Sequence, residues 1–434
     1  MSIRELHQEW PKKYELLVFL AASLPLILMH HWSHARDAGA YVRGGIQIIE
    51  GVNPYSDEVF RGGPFGAVIM ALAIGKVTGF WQAILILIFN LAGIWFYVRT
   101  FITAKTLNLF LCLLVIWSSS NRTNLDTIQL TGVILGVVAL MVRQTEIKPK
   151  GIRLVNSVLI SIVLAVLLDS KPHIVLPFFI LICIWLRNRR LLILTLVTLF
   201  IGHFITGSIY GWIHIKNWLS LILKIGENQK FEQFQGAAHN YWQIVTYFGL
   251  PTTGWSQIIP FVFYLIILLL SALSVHKFSL LGVNALAVLC ISITSYSHFY
   301  DFVPMVAVLL IVLSRERFTA IECGILAFIM IPQNWSSLPI LVALFAALAI
   351  HALLRVQENV ESTKTIDSDR IKKILIGVSG GILLYASIQV FNQSLRLPRE
   401  LIDAVTTSEL LFIFITVIFV KRKSVMYRCP ESME

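Results

Sequence analysis

Charge is what this sequence has least of: Asp, Glu, Lys and Arg make up 14% of its 434 residues, against roughly 25% in a soluble globular domain. That excludes an ordinary water-facing surface over most of the chain. Long polar stretches are missing too. The longest polar-leaning segments hold only about 45 residues, too few to build a separate soluble domain with its own core. Cysteine is sparse: Cys112, Cys183, Cys290, Cys323 and Cys429 show neither disulfide-like pairing nor metal-ligand spacing. Also absent are a Walker-type phosphate loop, an HExxH zinc pair and a GxSxG nucleophile elbow. No cofactor or metal is therefore expected, and no nucleic-acid partner.

What is present is apolar: 57% of the residues, arranged in runs of about 18 along nearly the whole length. In hydrocarbon every backbone polar group must be satisfied within the chain, so such runs are read as spanning helices. The expectation is an all-α, polytopic integral membrane protein with about 12–14 transmembrane helices. The first run, Leu16 to Met29, follows Lys12 and Lys13 without a small-residue cleavage site, and is read as a retained span.

The formal charge of +11 gives the orientation. Positive residues mark cytoplasmic loops. Lys421 to Lys423, Arg355 to Lys373, Arg315 with Arg317, His276 with Lys277, Arg187 to Arg190, Arg143 to Arg153 and Arg99 to Lys105 all fall on one side, with both termini. The other side receives a first loop, about 31–80, and a second, about 211–256. Parity then constrains the first loop. Pro64 to Val98 would measure about 52 Å as one helix, too long for one span and too short for three. Pro64 to Thr78 is therefore predicted to lie at the membrane surface as a juxtamembrane helix, and Trp81 to Val98 to cross, with Gly75, Lys76 and Gly79 at the break.

Residues that could do chemistry cluster on that outer face. Asp37, just past the first span, is placed to act as a general base for a hydroxyl; the plainer reading is a helix N-cap, and the two are compatible. Glu50, Asp57, Glu58, Asp169 and Asp301 are other outer carboxylates. Asp169-Ser170-Lys171-Pro172-His173 joins two spans. Its ionisable groups at lipid depth lean functional, the alternative being a solvated turn, and Lys171 suits a lipid phosphate as a point charge. Ser295 to Asp301 offers His298 among hydroxyls, for anion binding or proton relay, or else forms an aromatic interface belt. His239, Asn240, Tyr241, Trp242 and Gln243 mix amides with rings, which suits sugar binding or interfacial anchoring.

Five segments, the first loop counted as one, resemble a known family in order. Asp37-Ala-Gly-Ala-Tyr41, Gly51-x-Asn53-Pro54-Tyr55 and Phe60-x-x-x-Pro64-Phe65 resemble the first-loop signature of the family 87 membrane glycosyltransferases, of the GT-C superfamily. There the last element is Pro-Pro, here reduced to Pro64-Phe65. Asn124-Leu-Asp-Thr-Ile-Gln129, Lys171-Pro172, His239-Asn240-Tyr-Trp242, and Ser295-Tyr-Ser-His298 with Pro304 resemble later segments of that family.

The resemblance implies a GT-C-like fold with juxtamembrane helices in the first outer loop, in a bacterial cytoplasmic membrane. It implies an inverting transfer of a hexose, most plausibly mannose, from a polyprenyl-phosphate sugar to a lipid-linked or cell-envelope glycan. Asp37 would be the catalytic base. Lys171, His298 and Arg61 would bind the donor phosphate. Tyr41, Tyr55, Gln129, His239, Asn240, Trp242 and Asp301 would bind substrate. The rival from another class is a transporter or flippase of lipid-linked sugars or small solutes. Such proteins commonly carry internal repeats, and none is apparent here. A polysaccharide polymerase or ligase would place paired arginines in a large outer loop, yet Gly211 to Ser256 contains no arginine.

Overall fold

The computed structural model describes residues 36–56, 60–77, 79–101, 130–143, 150–224, 255–292 and 303–314, with positions 395 and 415 standing alone. Among the described residues the fold is all-α, with no strand. The helices are α1 (Arg36–Ile49), α2 (Pro64–Ile74), α3 (Gly79–Phe101), α4 (Thr131–Arg143), α5 (Lys150–Ser170), α6 (Pro172–Trp185), α7 (Arg189–Tyr210), α8 (Trp212–Lys224), α9 (Trp255–Ser274), α10 (Leu280–Ser292) and α11 (Val303–Ser314).

Two of these are long and apolar enough to cross a membrane, Ile84–Phe101 within α3 and the whole of α7; six further apolar helices are shorter. The core lies between α3, α4, α5, α6 and α10, around Leu87, Ile94, Tyr97, Ile134, Phe178 and Phe179. Its outer faces are apolar as well. Phe200 on α7 and Leu273 on α9 are each 73% exposed, and Leu154, Val155, Val158 and Leu159 continue the same character along α5.

Sharp local rules set the corners. Pro172 cannot continue α5, because a proline in a helix interior lacks the N–H and clashes with the turn before it. The chain therefore turns at Lys171 alone, and α6 starts with Pro172 in its first turn, where that missing N–H is harmless. Asn188 caps α7 by accepting from the Leu191 N–H at 3.1 Å. The α1 end is a Schellman turn: Gly51 adopts φ 76° and the Val52 N–H reaches the Gln47 carbonyl at 2.7 Å.

Helix α2 ends at Ile74 and α3 starts at Gly79, so the break falls where the sequence placed it. Helix α2 lies inside the protein: Pro64 to Val68, with Met70 and Ala71, are buried, and it packs on α1, α5 and α7. The reason is its composition. Pro-Phe-Gly-Ala-Val-Ile-Met-Ala-Leu-Ala-Ile has no polar face to present to water or headgroups. The amphipathic element of the first loop is α1, which buries Val42, Gly45 and Ile48 and exposes Arg43 and Gln47.

Candidate functional site

The first loop is folded onto the α5–α6 corner, and small residues make this possible. A Cβ on Gly45 would run into the Ala67 carbonyl, one on Gly62 into the Tyr41 ring, and one on Gly66 would fall 2.8 Å from Ser170 Oγ. The loop's own turn is held by Asn53, whose Oδ1 accepts from the Tyr55 N–H at 3.2 Å. Tyr55 and Tyr41 both pack on Phe60, at 5.5 and 5.9 Å between ring centroids.

At the centre of the contact lies Asp169, 4% exposed. Helix α2 begins after Gly63, which has no side chain to cap the orphan N–H groups of the first turn. Asp169 supplies the missing cap from another helix. Its Oδ2 accepts from the Gly66 N–H at 2.7 Å, and its main-chain carbonyl accepts from Gly63 N–H at 2.9 Å. A Cβ on Gly63 would occupy the space of that carboxylate, so glycine here is a condition of the cap. A negative charge is also favoured at a helix N-terminus.

The second carboxylate oxygen faces α7. His203 Nε2 lies 2.9 Å from Asp169 Oδ1. The contact is one of proximity, since the imidazole N–H is not aimed for an aligned hydrogen bond, and Oδ1 has no other aligned donor among the described residues. The imidazole is stacked on Trp218 of α8, 5.2 Å away at 22°, and lies beside Phe65 at 6.2 Å. The Trp218 indole N–H in turn donates to the Arg61 carbonyl at 3.3 Å. One carboxylate thus ties four helices, α2, α5, α7 and α8, into a single node. The solvated-turn reading of the Asp169 segment is overturned, because Asp169, Ser170 and Lys171 are all buried.

The residues singled out from the sequence fall into three groups. Tyr41, Tyr55, Arg61 and Lys171 are brought together at this node. The Tyr41 hydroxyl donates to the Ser170 carbonyl at 2.9 Å and that of Tyr55 to the Gly62 carbonyl at 3.1 Å, so both phenols are engaged inside the protein. Burial raises the Tyr55 pKa, and the Asp169 charge adds to the rise, so this phenol stays protonated as a donor. Lys171 is 5% exposed, so a phosphate reaches it only by entering the protein at this corner.

Asp37 forms the second group. The structure describes its backbone, in the first turn of α1, one helical turn before Tyr41. Residues at i and i+4 share a helix face, so Asp37 is placed on the side of α1 that Tyr41 docks to the corner. The third group is Gln129, His239, Asn240, Trp242, His298 and Asp301, which lie outside the described residues.

His203 and Trp218 were not found from the sequence. The available signal was a histidine within an otherwise apolar helix; nothing local pairs it with a carboxylate 34 residues earlier. Among the described residues no group of three or more His, Cys, Asp or Glu side chains could hold a metal ion. Compared with known proteins, the chain matches no family model, no curated protein and no solved structure.

Proposed function

We propose that this chain is a polytopic membrane glycosyltransferase of GT-C-like architecture, acting on the outer face of a bacterial cytoplasmic membrane. The membrane reading is supported by composition, by the basic-loop asymmetry and by the apolar outer faces of α5, α7 and α9. Large exposed apolar surfaces on a chain are interaction surfaces, and here the surrounding lipid fits them.

The observation that carries the reading is the docking of the first loop on the Asp169–Lys171 corner, which brings two separately family-like segments, Asp37 to Tyr41 and Lys171-Pro172, to one place. The reaction is an inverting displacement. The acceptor hydroxyl gives its proton to the Asp37 carboxylate, and its oxygen bonds to the anomeric carbon from the face opposite the phosphate. The bond between that carbon and the phosphate oxygen breaks, and its electron pair leaves on polyprenyl phosphate. Lys171, Arg61 and His298 are the cations that meet the leaving charge. The donor is a polyprenyl-phosphate hexose, mannose by the family resemblance. The acceptor is a glycolipid or cell-envelope glycan, and both approach from the membrane.

Asp37→Asn tests this with the full-length protein in lipid vesicles supplied with a polyprenyl-phosphate sugar. Asparagine keeps the size of aspartate but not its basicity. General-base catalysis contributes about 10²–10⁴-fold, so transfer should fall by that factor while Asp57→Asn transfers normally. Near-full turnover in Asp37→Asn would remove Asp37 from the base role. Sugar crossing the membrane without forming a new glycosidic bond would point instead to the transporter reading.

A further inference from the structure

Among the described residues, two helices without a capping side chain of their own are capped from a neighbouring helix. Helix α4 starts after Leu130, and Asn90 of α3 caps it: Asn90 Oδ1 accepts from the Gly132 and Val133 N–H groups at 3.0 and 3.2 Å. A neutral amide therefore suffices to cap a helix in trans. Helix α2 is capped the same way by Asp169, yet that site places a carboxylate, not an amide, at 4% exposure. Burying a carboxylate costs several kcal/mol more than burying an amide unless it is paired. Capping alone does not require that cost, since Asn and Asp are about equally good caps. What the carboxylate adds is its second oxygen, 2.9 Å from His203 on a third helix.

We infer that Asp169 and His203 form a charge-bearing latch that positions the first loop on the α5–α6 corner. Both are positioning residues. The consequence for transfer rests on the function proposed above; the latch itself does not.

The geometry says what the latch controls. Ser170, next in sequence, sits under Gly66, and its carbonyl receives the Tyr41 hydroxyl. Asp37 is one turn from Tyr41, and Lys171 is the next residue of the corner. Holding α2 by its first turn therefore fixes α1 and the corner relative to each other. Trp218, stacked on the imidazole, fixes the His203 ring plane and links the latch to the loop through the Arg61 carbonyl. The pair stands about 10 Å, or seven residues of helix, below the α7 end at Tyr210, under the loop rather than in open water.

The test uses Ser170→Cys in full-length protein without its five native cysteines, reconstituted in vesicles. Ser170 is 5% exposed beneath α2, so the labelling rate of this thiol reports how often the loop lifts. Asp169→Asn keeps the cap acceptor and removes only the charge; His203→Gln removes the imidazole partner. With an interaction to a charged group at stake, each should speed labelling roughly 10- to 100-fold. The double variant should do no more than either alone, because both break the same contact. A cap without a latch predicts unchanged labelling in Asp169→Asn, and that result overturns the proposal. Unchanged labelling in His203→Gln overturns it equally, whether or not Asp169→Asn accumulates. Additive effects in the double variant also overturn it. Transfer measured on the same vesicles should lose turnover while the KM for the donor holds. If the parent protein shows no transfer from polyprenyl-phosphate sugars, the proposed function fails, while labelling still decides the latch.

Discussion

Two seams of this molecule do the same job with different chemistry. Between α3 and α4, the neutral Asn90 caps α4, and Gly93, Gly132 and Gly136 let the backbones touch; a Cβ on Gly136 would come within 2.7 Å of the Gly93 Cα. Between α2, α5 and α7, the charged Asp169 caps α2 beside a half-buried histidine. The first seam is closed: Asn90 is 1% exposed, and close backbone packing with a neutral cap is how helices associate where water is absent. The second seam tolerates a charge because a partner stands opposite it. A buried carboxylate is costly unless it is paired, so the contrast is between a seam held by a neutral cap and one that needs a partner for its carboxylate.

The comparison can be broken by truncating both caps. Asp169→Ala should cost about 3–5 kcal/mol, the usual result of removing one partner from a buried charged pair. Asn90→Ala should cost about 1–3 kcal/mol, for two backbone N–H groups left without an acceptor. Thermal unfolding of the full-length protein in detergent measures both; equal losses would erase the distinction between the seams. Steric variants sharpen it. Gly63→Ala places a methyl where the Asp169 carboxylate sits, and should cost about 1–3 kcal/mol through overpacking. Its backbone lies at φ −66°, where alanine is unstrained, so a neutral outcome would mean that the carboxylate can move aside.

Adding a charge to the closed seam is the reciprocal change. Asn90→Asp keeps the acceptor for the α4 N–H groups, and a helix N-terminus returns up to about 2 kcal/mol to an anion. Burial of the charge costs several kcal/mol, so a net loss of about 1–2 kcal/mol is expected; a gain in stability would show the α3–α4 seam to be wetter than its burial implies. The smallest effect concerns α8. Burial lowers the pKa of His214, with a backbone hydrogen bond to Tyr210 opposing the shift. The unfolded chain then takes up a proton before the folded one does, so stability should fall as pH drops below about 6.5. His214→Phe should flatten that slope, and a slope unchanged from the parent protein would assign the acid sensitivity elsewhere.

Much of this was legible residue by residue. Pro172 marks the α5–α6 corner, Gly75 and Gly79 mark the α2–α3 break, and Asp169 to Lys171 stand out as ionisable groups in apolar surroundings. These signals are local: a missing N–H, a residue without Cβ, a charge among hydrocarbons. Less was legible of what those residues contact. That Tyr41 and Tyr55 donate to main-chain carbonyls is not recorded in their spacing. The burial of α2 was hidden because a short apolar helix is consistent with a surface, a core or a re-entrant position.

The sequence by itself determined the all-α class, the α2–α3 break, the α5–α6 corner and the concentration of polar chemistry in a few short stretches. Those follow from backbone hydrogen bonding and from hydropathy, which act over a few residues. Only the tertiary structure decided that Asp169 caps α2, that His203 and Trp218 complete its surroundings, and that Asn90 serves α4. A cap in trans depends on where two helices cross, and no spacing along the chain records that crossing.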